Sequence, residues 1–160
     1  MSVHQDHIHF VSVTPTVDTS AYLAGDLIGT KLTFANALPL ATGCGLLRSA
    51  LIKDLAVQAH DIDLVLFDSD PTGTTFTDNA AFDVADADLA KIIAVVSFGS
   101  ASRFAFADNG VKFLGSLQIP VRGISVNSPA RTLYGALVSR GTPTFATAAD
   151  VTVTLGLSHT

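Results

Sequence analysis

The sequence predicts an all-β protein, an antiparallel β-sandwich or jelly-roll-like fold with about eight to ten short strands and one short helix. Two observations support this fold class. Short apolar segments alternate with turn-forming residues along the whole 160-residue chain. All fourteen acidic residues are aspartates, and aspartate favours turns and caps whereas glutamate favours helix interiors.

The strands are predicted from short apolar runs and from alternation of apolar and polar residues. The clearest ones lie at 7–13, 27–34, 46–54, 62–67, 92–98, 132–138 and 151–157. Segment 62–67 is apolar on both faces, which is typical of a central strand covered on both sides. Segment 151–157 alternates valine or leucine with threonine, as expected for a strand with one exposed face. We expect a loose N-terminal arm at 1–6 and a single sandwich domain at 7–160.

A β-hairpin is predicted around Asn109-Gly110, which separates two alternating apolar runs. Asn-Gly is the preferred pair for a two-residue type I′ turn, because both positions need positive φ. With that turn, Phe106 would face Phe113 across the hairpin.

Eight of the fourteen aspartates fall between Asp61 and Asp88. This stretch predicts a buried strand, an acidic turn-rich loop and a short helix at 85–91. Asp83 is the expected N-cap of that helix, and Leu89 is expected to pack inward. Asp86 and Asp88 would lie near the positive end of the helix dipole.

The acidic loop begins like a calcium-binding loop, with Asp68 and Asp70 at alternate positions and Gly73 at the sixth. Its twelfth position is Asn79 instead of a bidentate glutamate, so it is not an EF-hand. A weak, irregular calcium site at Asp68, Asp70 and Asp78 is one interpretation. The alternative is that these carboxylates cap the backbone of their own loop.

Three further groups contain side chains that can be reactive or bind metals. His7 and His9 share one strand face, and His4 is nearby, but two or three sequence-adjacent histidines do not define a site. His60-Asp61 lacks an accompanying nucleophile elbow. Cys44 has no histidine or basic neighbour in sequence to activate it, so a free structural thiol is the expected role.

Composition narrows the function further. The chain is 48% hydrophobic and only 14% charged, with a net charge of -5. Its aliphatic runs are far shorter than the roughly 20 residues of a membrane-spanning helix, and its scattered basic residues argue against nucleic-acid binding. We therefore expect a homo-oligomer that hides apolar surface between subunits. The absence of tryptophan leaves little to stack on sugars.

The segment from Leu64 to Val96 resembles a group of small tailed-phage proteins encoded among virion genes. The similarity follows the pattern of an aliphatic strand, the Phe67-Asp-Ser-Asp-Pro71 turn, the acidic loop, an Asp-Leu helix and a second aliphatic strand. The resemblance implies a non-enzymatic virion structural protein, of the head decoration or cement type. It also implies an all-β fold, frequent assembly as trimers and docking on the major capsid protein or another virion protein.

Assembly in the host cytoplasm is consistent with the single unpaired cysteine. No cofactor is expected beyond the weak calcium site. The alternative function is an adhesion or binding module of a tail or head fibre, dependent on a glycan or on calcium. A hydrolase is disfavoured, because no arrangement of nucleophile and base is evident in the sequence.

Overall fold

The structure is a computed structural model that describes residues 7–39, 42–125 and 128–159. The predicted arm at 1–6 lies outside the described residues. In chain order, the described strands are β1 (His7–Val13), β2 (Leu27–Phe34), β3 (Cys44–Asp54), β4 (Ile62–Phe67), β5 (Ile92–Phe98), β6 (Arg103–Ala105), β7 (Gly110–Leu114), β8 (Ile119–Arg122), β9 (Ile124–Ser125), β10 (Ser128–Pro129), β11 (Leu133–Ser139) and β12 (Val151–His159). One helix, α1 (Asp86–Leu89), precedes β5, and a 3₁₀ turn (Ser100–Ser102) follows it.

Most of the strands form two antiparallel sheets, and β9 and β10 pair separately as a two-stranded ribbon. The larger sheet has the order β1-β12-β3-β7-β6, with β8 also pairing with β3, and the smaller sheet has the order β2-β11-β4-β5. Because β7 and β8 pair with successive parts of β3, they act as one interrupted strand. Without the short β6, β9 and β10, and with β7 and β8 counted as one, eight major strands remain. When these are numbered 1 to 8 in chain order, the sheet orders are 1-8-3-6 and 2-7-4-5, which is the jelly-roll arrangement. The predicted fold class is confirmed, and the short β6, β9 and β10 account for the larger strand count.

The main core lies between the two sheets. On β12 the inward residues are Val151, Val153, Leu155 and Leu157, all fully buried. On the opposite face of this strand, Thr152 and Thr154 point outward, as the alternation predicts. The chain therefore buries the aliphatic side of its last strand and leaves the hydroxyl side at the surface.

A second core lies on the outer side of the smaller sheet. On β4, Leu64 and Leu66 belong to the main core, whereas Val65 and Phe67 belong to the second core. Segment 68–91, hereafter the cover loop, lies over this side and contributes its partly buried side chains Phe76, Phe82 and Val84. The prediction that β4 is covered on both faces is thus confirmed.

Backbone hydrogen bonds hold the cover loop against the start of β2. Leu27 donates to the carbonyl of Ala80 at 2.9 Å, and Asn79 donates to the carbonyl of Leu27 at 3.0 Å. Phe82 donates to the carbonyl of Gly25 at 2.9 Å. The loop is therefore part of the wall of the sandwich.

The prediction for the helix is wrong in its details. Helix α1 spans only Asp86–Leu89, and its N-cap is Ala85, without a side-chain capping bond. Asp88 is buried, whereas Leu89 is 52% exposed. The reason is that Asp88 turns inward to polar partners in the cover loop, and the next residue then points about 100° away around the helix.

The predicted hairpin turn is also wrong. Ala105 pairs with Gly110, and Phe106 donates to the carbonyl of Asn109 at 2.7 Å, so the turn lies at 107–108. Neither Asn109 nor Gly110 has the positive φ of a type I′ turn, and Phe113 pairs with Leu51 instead of facing Phe106. Pairing of β7 with β3 sets this register, and it overrides the local turn preference.

Candidate functional site

The predicted calcium ligands Asp68 and Asp70 have protein partners of their own. Asp68 is buried, and its carboxylate accepts hydrogen bonds from Ser69 Oγ at 2.8 Å and from Arg122 Nε at 3.3 Å. The Asp70 carboxylate forms an ion pair with Lys31 Nζ at 2.5 Å. These contacts fasten the start of the cover loop to β8 and β2.

The third predicted ligand, Asp78, belongs to a different network. Its Oδ1 accepts hydrogen bonds from the Tyr22 hydroxyl and from the Gly29 backbone N–H, each at 2.7 Å. Burial, and then the hydrogen bond to Asp78, raise the pKa of Tyr22 above its usual value. Gly29 is required here, since it has φ of +75° and an added Cβ would clash with Pro15.

The end of the cover loop is anchored by a buried carboxylate. Asp88 accepts a hydrogen bond from Thr74 Oγ1 at 2.8 Å and pairs with Lys91 Nζ at 2.7 Å. The hydrogen bond from Lys91 holds the pKa of Asp88 below its usual range against the effect of desolvation. Lys91 Nζ also donates to the carbonyl of Asp70 at 2.7 Å. These contacts join the end of the cover loop to its start.

Among residues 7–39, 42–125 and 128–159, no group of three or more His, Cys, Asp or Glu side chains could hold a metal ion. The structure directs Asp68, Asp70 and Asp78 to separate partners. A calcium site at these residues stays a prediction.

Three histidines gather at one end of the larger sheet. His7 is paired with His159 across β1 and β12, and the rings of His9 and His159 lie 5.9 Å apart. His159 Nδ1 is buried and has no hydrogen-bond partner among the described residues. Sequence reasoning noted His7 and His9 but missed His159, because the pairing of the first and last strands is not visible in local sequence. His4 lies outside the described residues.

We expect acidification to destabilise the fold through this cluster. Burial, and then the charges of His9 and His7, lower the pKa of His159 below its usual 6.5. As pH falls, His159 is protonated in the unfolded chain before it is protonated in the folded protein. Its contribution to stability is therefore present above pH 6.5 and is lost as pH falls through the folded-state pKa. Urea unfolding between pH 7.5 and 5 should show this decline, and His159→Gln should flatten it. An unchanged pH dependence in the variant would contradict this assignment.

A buried lysine and a partly buried arginine lie under the loop that follows β3. Lys112 is only 2% exposed, and its Nζ donates to the carbonyl of Gln58 at 2.9 Å. Burial lowers the pKa of Lys112, and the charge of Asp54 opposes that shift. Its cross-strand neighbour Arg103 has a buried Nε without a partner among the described residues. Sequence reasoning missed this pair, since a lysine in an alternating strand is ordinarily a surface residue.

The remaining candidates lie at the surface. Cys44 is exposed and lines a cavity of about 340 Å³ together with Gly45 and Ile93. His60 packs closely on Gly141, and the adjacent Asp61 is exposed. This close approach gives His60 a packing role.

A cavity of about 390 Å³ lies beside the start of the cover loop. Its lining includes the charged side chains of Asp70 and Lys91 and the hydroxyl groups of Thr72, Thr132 and Tyr134. The lining combines these donors and acceptors with the apolar side chains of Ile124 and Ala130, so it suits a small molecule that has both polar and apolar groups.

No family model and no curated protein matches the sequence. Among solved structures, a chain described as Desmodium yellow mottle tymovirus is similar over 99% of this chain and 83% of its own length. Their sequences are 10% identical, and the TM-score is 0.30. That likeness is too low to carry an argument about function. In the described part of the chain, the helices are all too short or too polar to cross a lipid bilayer.

Proposed function

We propose that this chain is a structural protein of a tailed-bacteriophage virion, of the capsid decoration or cement type. It assembles with copies of itself, as a homotrimer, and binds the major capsid protein or another virion protein. In this role it has no catalytic activity and requires no cofactor. Its place is the virion, which is assembled in the host cytoplasm.

The observation that carries this proposal is the structural use of the cover loop. This segment bears much of the resemblance to phage virion proteins, and it forms part of the sandwich wall. Its aromatic side chains Phe76 and Phe82 pack on the smaller sheet, and its carboxylates bind groups from distant parts of the chain. The charged groups of the cover loop hold it against the rest of the sandwich, and this use supports a structural role.

The topology is consistent with this role. Jelly rolls form viral capsid domains, lectin domains and cupins. Because one fold serves several functions, the topology supports a virion protein without distinguishing it from a binding module.

The proposal is tested on virions of the phage that encodes the chain. Peptide mass spectrometry of purified particles should detect the protein at a fixed ratio to the major capsid protein. Empty shells made without the gene should bind the purified protein in a saturable manner and should then resist heat better, since binding stabilises the bound state by mass action. Particles that lack the protein, or shells that do not bind it, would contradict the proposal.

The cavity beside Asp70 and Lys91 favours a second candidate, an adhesion module of a tail or head fibre that binds a glycan. Its hydroxyl and charged lining can exchange hydrogen bonds with a sugar. Binding of the protein to a glycan array, abolished by Thr72→Ala and Tyr134→Ala, would favour this function over capsid decoration.

Adding calcium tests the calcium-dependent form of the adhesion hypothesis. We expect millimolar calcium to leave the thermal midpoint unchanged, because Asp68, Asp70 and Asp78 each have a donor within the protein. Differential scanning fluorimetry with calcium and with magnesium as control measures the effect. A rise specific to calcium that Asp68→Ala and Asp70→Ala abolish would instead support a calcium-dependent module.

A further inference from the structure

The larger sheet has an apolar surface on the side that faces away from the core, hereafter the outer face. Phe10 on β1 and Phe104 on β6 are each 63% exposed, and Phe113 on β7 is 47% exposed. Directly paired residues in antiparallel strands share a face. By this rule Leu51, paired with Phe113, and Val111, paired with Phe104, belong to the same side.

The two sheets differ in whether their outward sides are covered by other parts of the chain. The smaller sheet is covered by the cover loop, whose Phe76 and Phe82 pack on Phe67 and its neighbours. The larger sheet keeps its aromatic side chains at the surface of the described structure. Monomeric proteins seldom leave a wide apolar patch in water, so the outer face indicates a missing partner.

The hydroxyl groups of the outer face do not oppose burial. Ser12 and Thr154 share a hydrogen bond at 2.7 Å between their hydroxyl oxygens, and Thr14 and Thr152 share another at 2.8 Å. The free-energy cost of removing water is smaller for hydroxyl groups that are already hydrogen-bonded to each other than for unpaired ones. The middle of the face therefore adds little desolvation cost.

The central row of the outer face is uncharged. The paired row of Ser12, Thr154, Leu51 and Phe113 contains no ionisable side chain. The row beside it contains Lys53, which is exposed and pairs with Thr152 and Val111. On the other neighbouring row, Gly156 lies under the ring of Phe10, and an added Cβ would be 2.9 Å from that ring. Two copies that each carry a net charge of -5 can therefore bring their central rows together without opposing like charges there, and Lys53 lies to one side of that row.

The exposed area is close to what a stable contact between two copies needs. Phe106, beside the hairpin turn, is 60% exposed. At about 200 Å² per aromatic side chain, the exposed parts of these four phenylalanines amount to roughly 470 Å². A standard interface buries about 800 Å² per partner, of which slightly more than half is apolar. The exposed area of the four rings alone is therefore about equal to the apolar area that one partner buries in such an interface.

We propose that the outer face of the larger sheet is the surface through which one copy of this chain binds a second copy. The identity of the partner rests on the proposed function, in which the protein assembles with itself, and the surface rests on the geometry. Phe10 and Phe113 lie on strands at either side of β12 and β3, so they anchor the two halves of the contact. The cover loop stays outside it, on the opposite side of the sandwich.

Sedimentation equilibrium of the full chain over a range of concentrations tests the proposal. Phe10→Thr and Phe113→Thr place a β-branched residue, which favours strands, at each position, and each is expected to weaken self-association roughly tenfold or more. The matched control is Val95→Thr, a residue that is 54% exposed on β5 of the smaller sheet, and it should change the dissociation constant less than twofold. Thermal unfolding confirms that each variant is folded.

A second measurement uses the unaltered protein, in case a variant does not fold. Hydroxyl-radical labelling of Phe10, Phe104 and Phe113 should fall as the protein concentration rises, whereas labelling of Leu23, 65% exposed, should not change. Variants that keep the wild-type mass, or labelling that is independent of concentration, would overturn the proposal.

Binding to empty shells separates this inference from the proposed function. Variants that dissociate but still bind shells would support both. A monomeric wild-type protein whose shell binding is lost on Phe10→Thr would show that the outer face meets the shell, and the proposed contact between copies would then be rejected. Failure of the wild-type protein to bind shells would count against the virion role alone.

Discussion

Replacing Phe67 with alanine will lower the free energy of unfolding by about 3–5 kcal/mol. Phe67 is fully buried at the end of β4, between Tyr134 on β11 and Ile92 on β5. Its ring belongs to the second core, and the cover loop packs over that core. Truncation leaves a cavity under the loop, and chemical denaturation with urea measures the loss.

The matched control is Leu89→Ala in the short helix. Leu89 is 52% exposed, and surface substitutions of this kind usually change stability by less than about 0.5 kcal/mol. A loss above about 2 kcal/mol would show that Leu89 packs inward after all, and it would contradict the observed orientation of the helix.

Replacing Asp54 with alanine will lower the free energy of unfolding by about 2–4 kcal/mol, because it leaves two backbone donors without a partner. Asp54 is 4% exposed, and its carboxylate accepts hydrogen bonds from the backbone N–H groups of Ala56 and Gln58. The Gln58 carbonyl in turn accepts the hydrogen bond from the buried Lys112. The substitution therefore releases the loop and removes a favourable negative charge from Lys112.

The double variant Asp54→Ala with Lys112→Met tests the coupling between the two residues. Removing the buried ammonium should recover at least about 1 kcal/mol of the loss, because an uncompensated buried charge is no longer present. Lys112→Met alone should also flatten the stability profile at high pH. A lysine with a lowered folded-state pKa makes stability rise between that pKa and the usual 10.5. Simple additivity of the two substitutions would contradict the coupling.

The sequence predicted the major strands well, because their burial follows from local alternation. β1, β2, β4 and β5 have the predicted bounds, and the inward and outward sides of β12 follow from its alternating valines, leucines and threonines. The two-sided burial of β4 was also predictable, because a run with apolar residues at successive positions has no side suited to water.

The hairpin and the helix were mispredicted because tertiary contacts override local preference there. Asn109-Gly110 has the composition of a tight turn, but the register of β7 on β3 moves the turn to 107–108. Asp88 is acidic and would be assigned to solvent, yet Thr74 and Lys91 provide a buried polar site for it. Local sequence does not contain these partners.

The role of the acidic stretch was unpredictable for the same reason. The partners of Asp68 and Asp78 are Arg122 and Tyr22, which lie more than fifty residues away in the chain. Without the fold, a run of carboxylates resembles a cation site. With the fold, the same carboxylates hold the cover loop to the wall of the sandwich.

The central claim is that this protein hides the apolar outer face of its larger sheet against copies of itself. Multi-angle light scattering of the wild-type chain at about 10 μM, well above the dissociation constant of a stable interface, tests it most directly. We predict a single species whose mass is an integer multiple, two or greater, of the 16.6 kDa chain. A sharp peak at 16.6 kDa would contradict the claim.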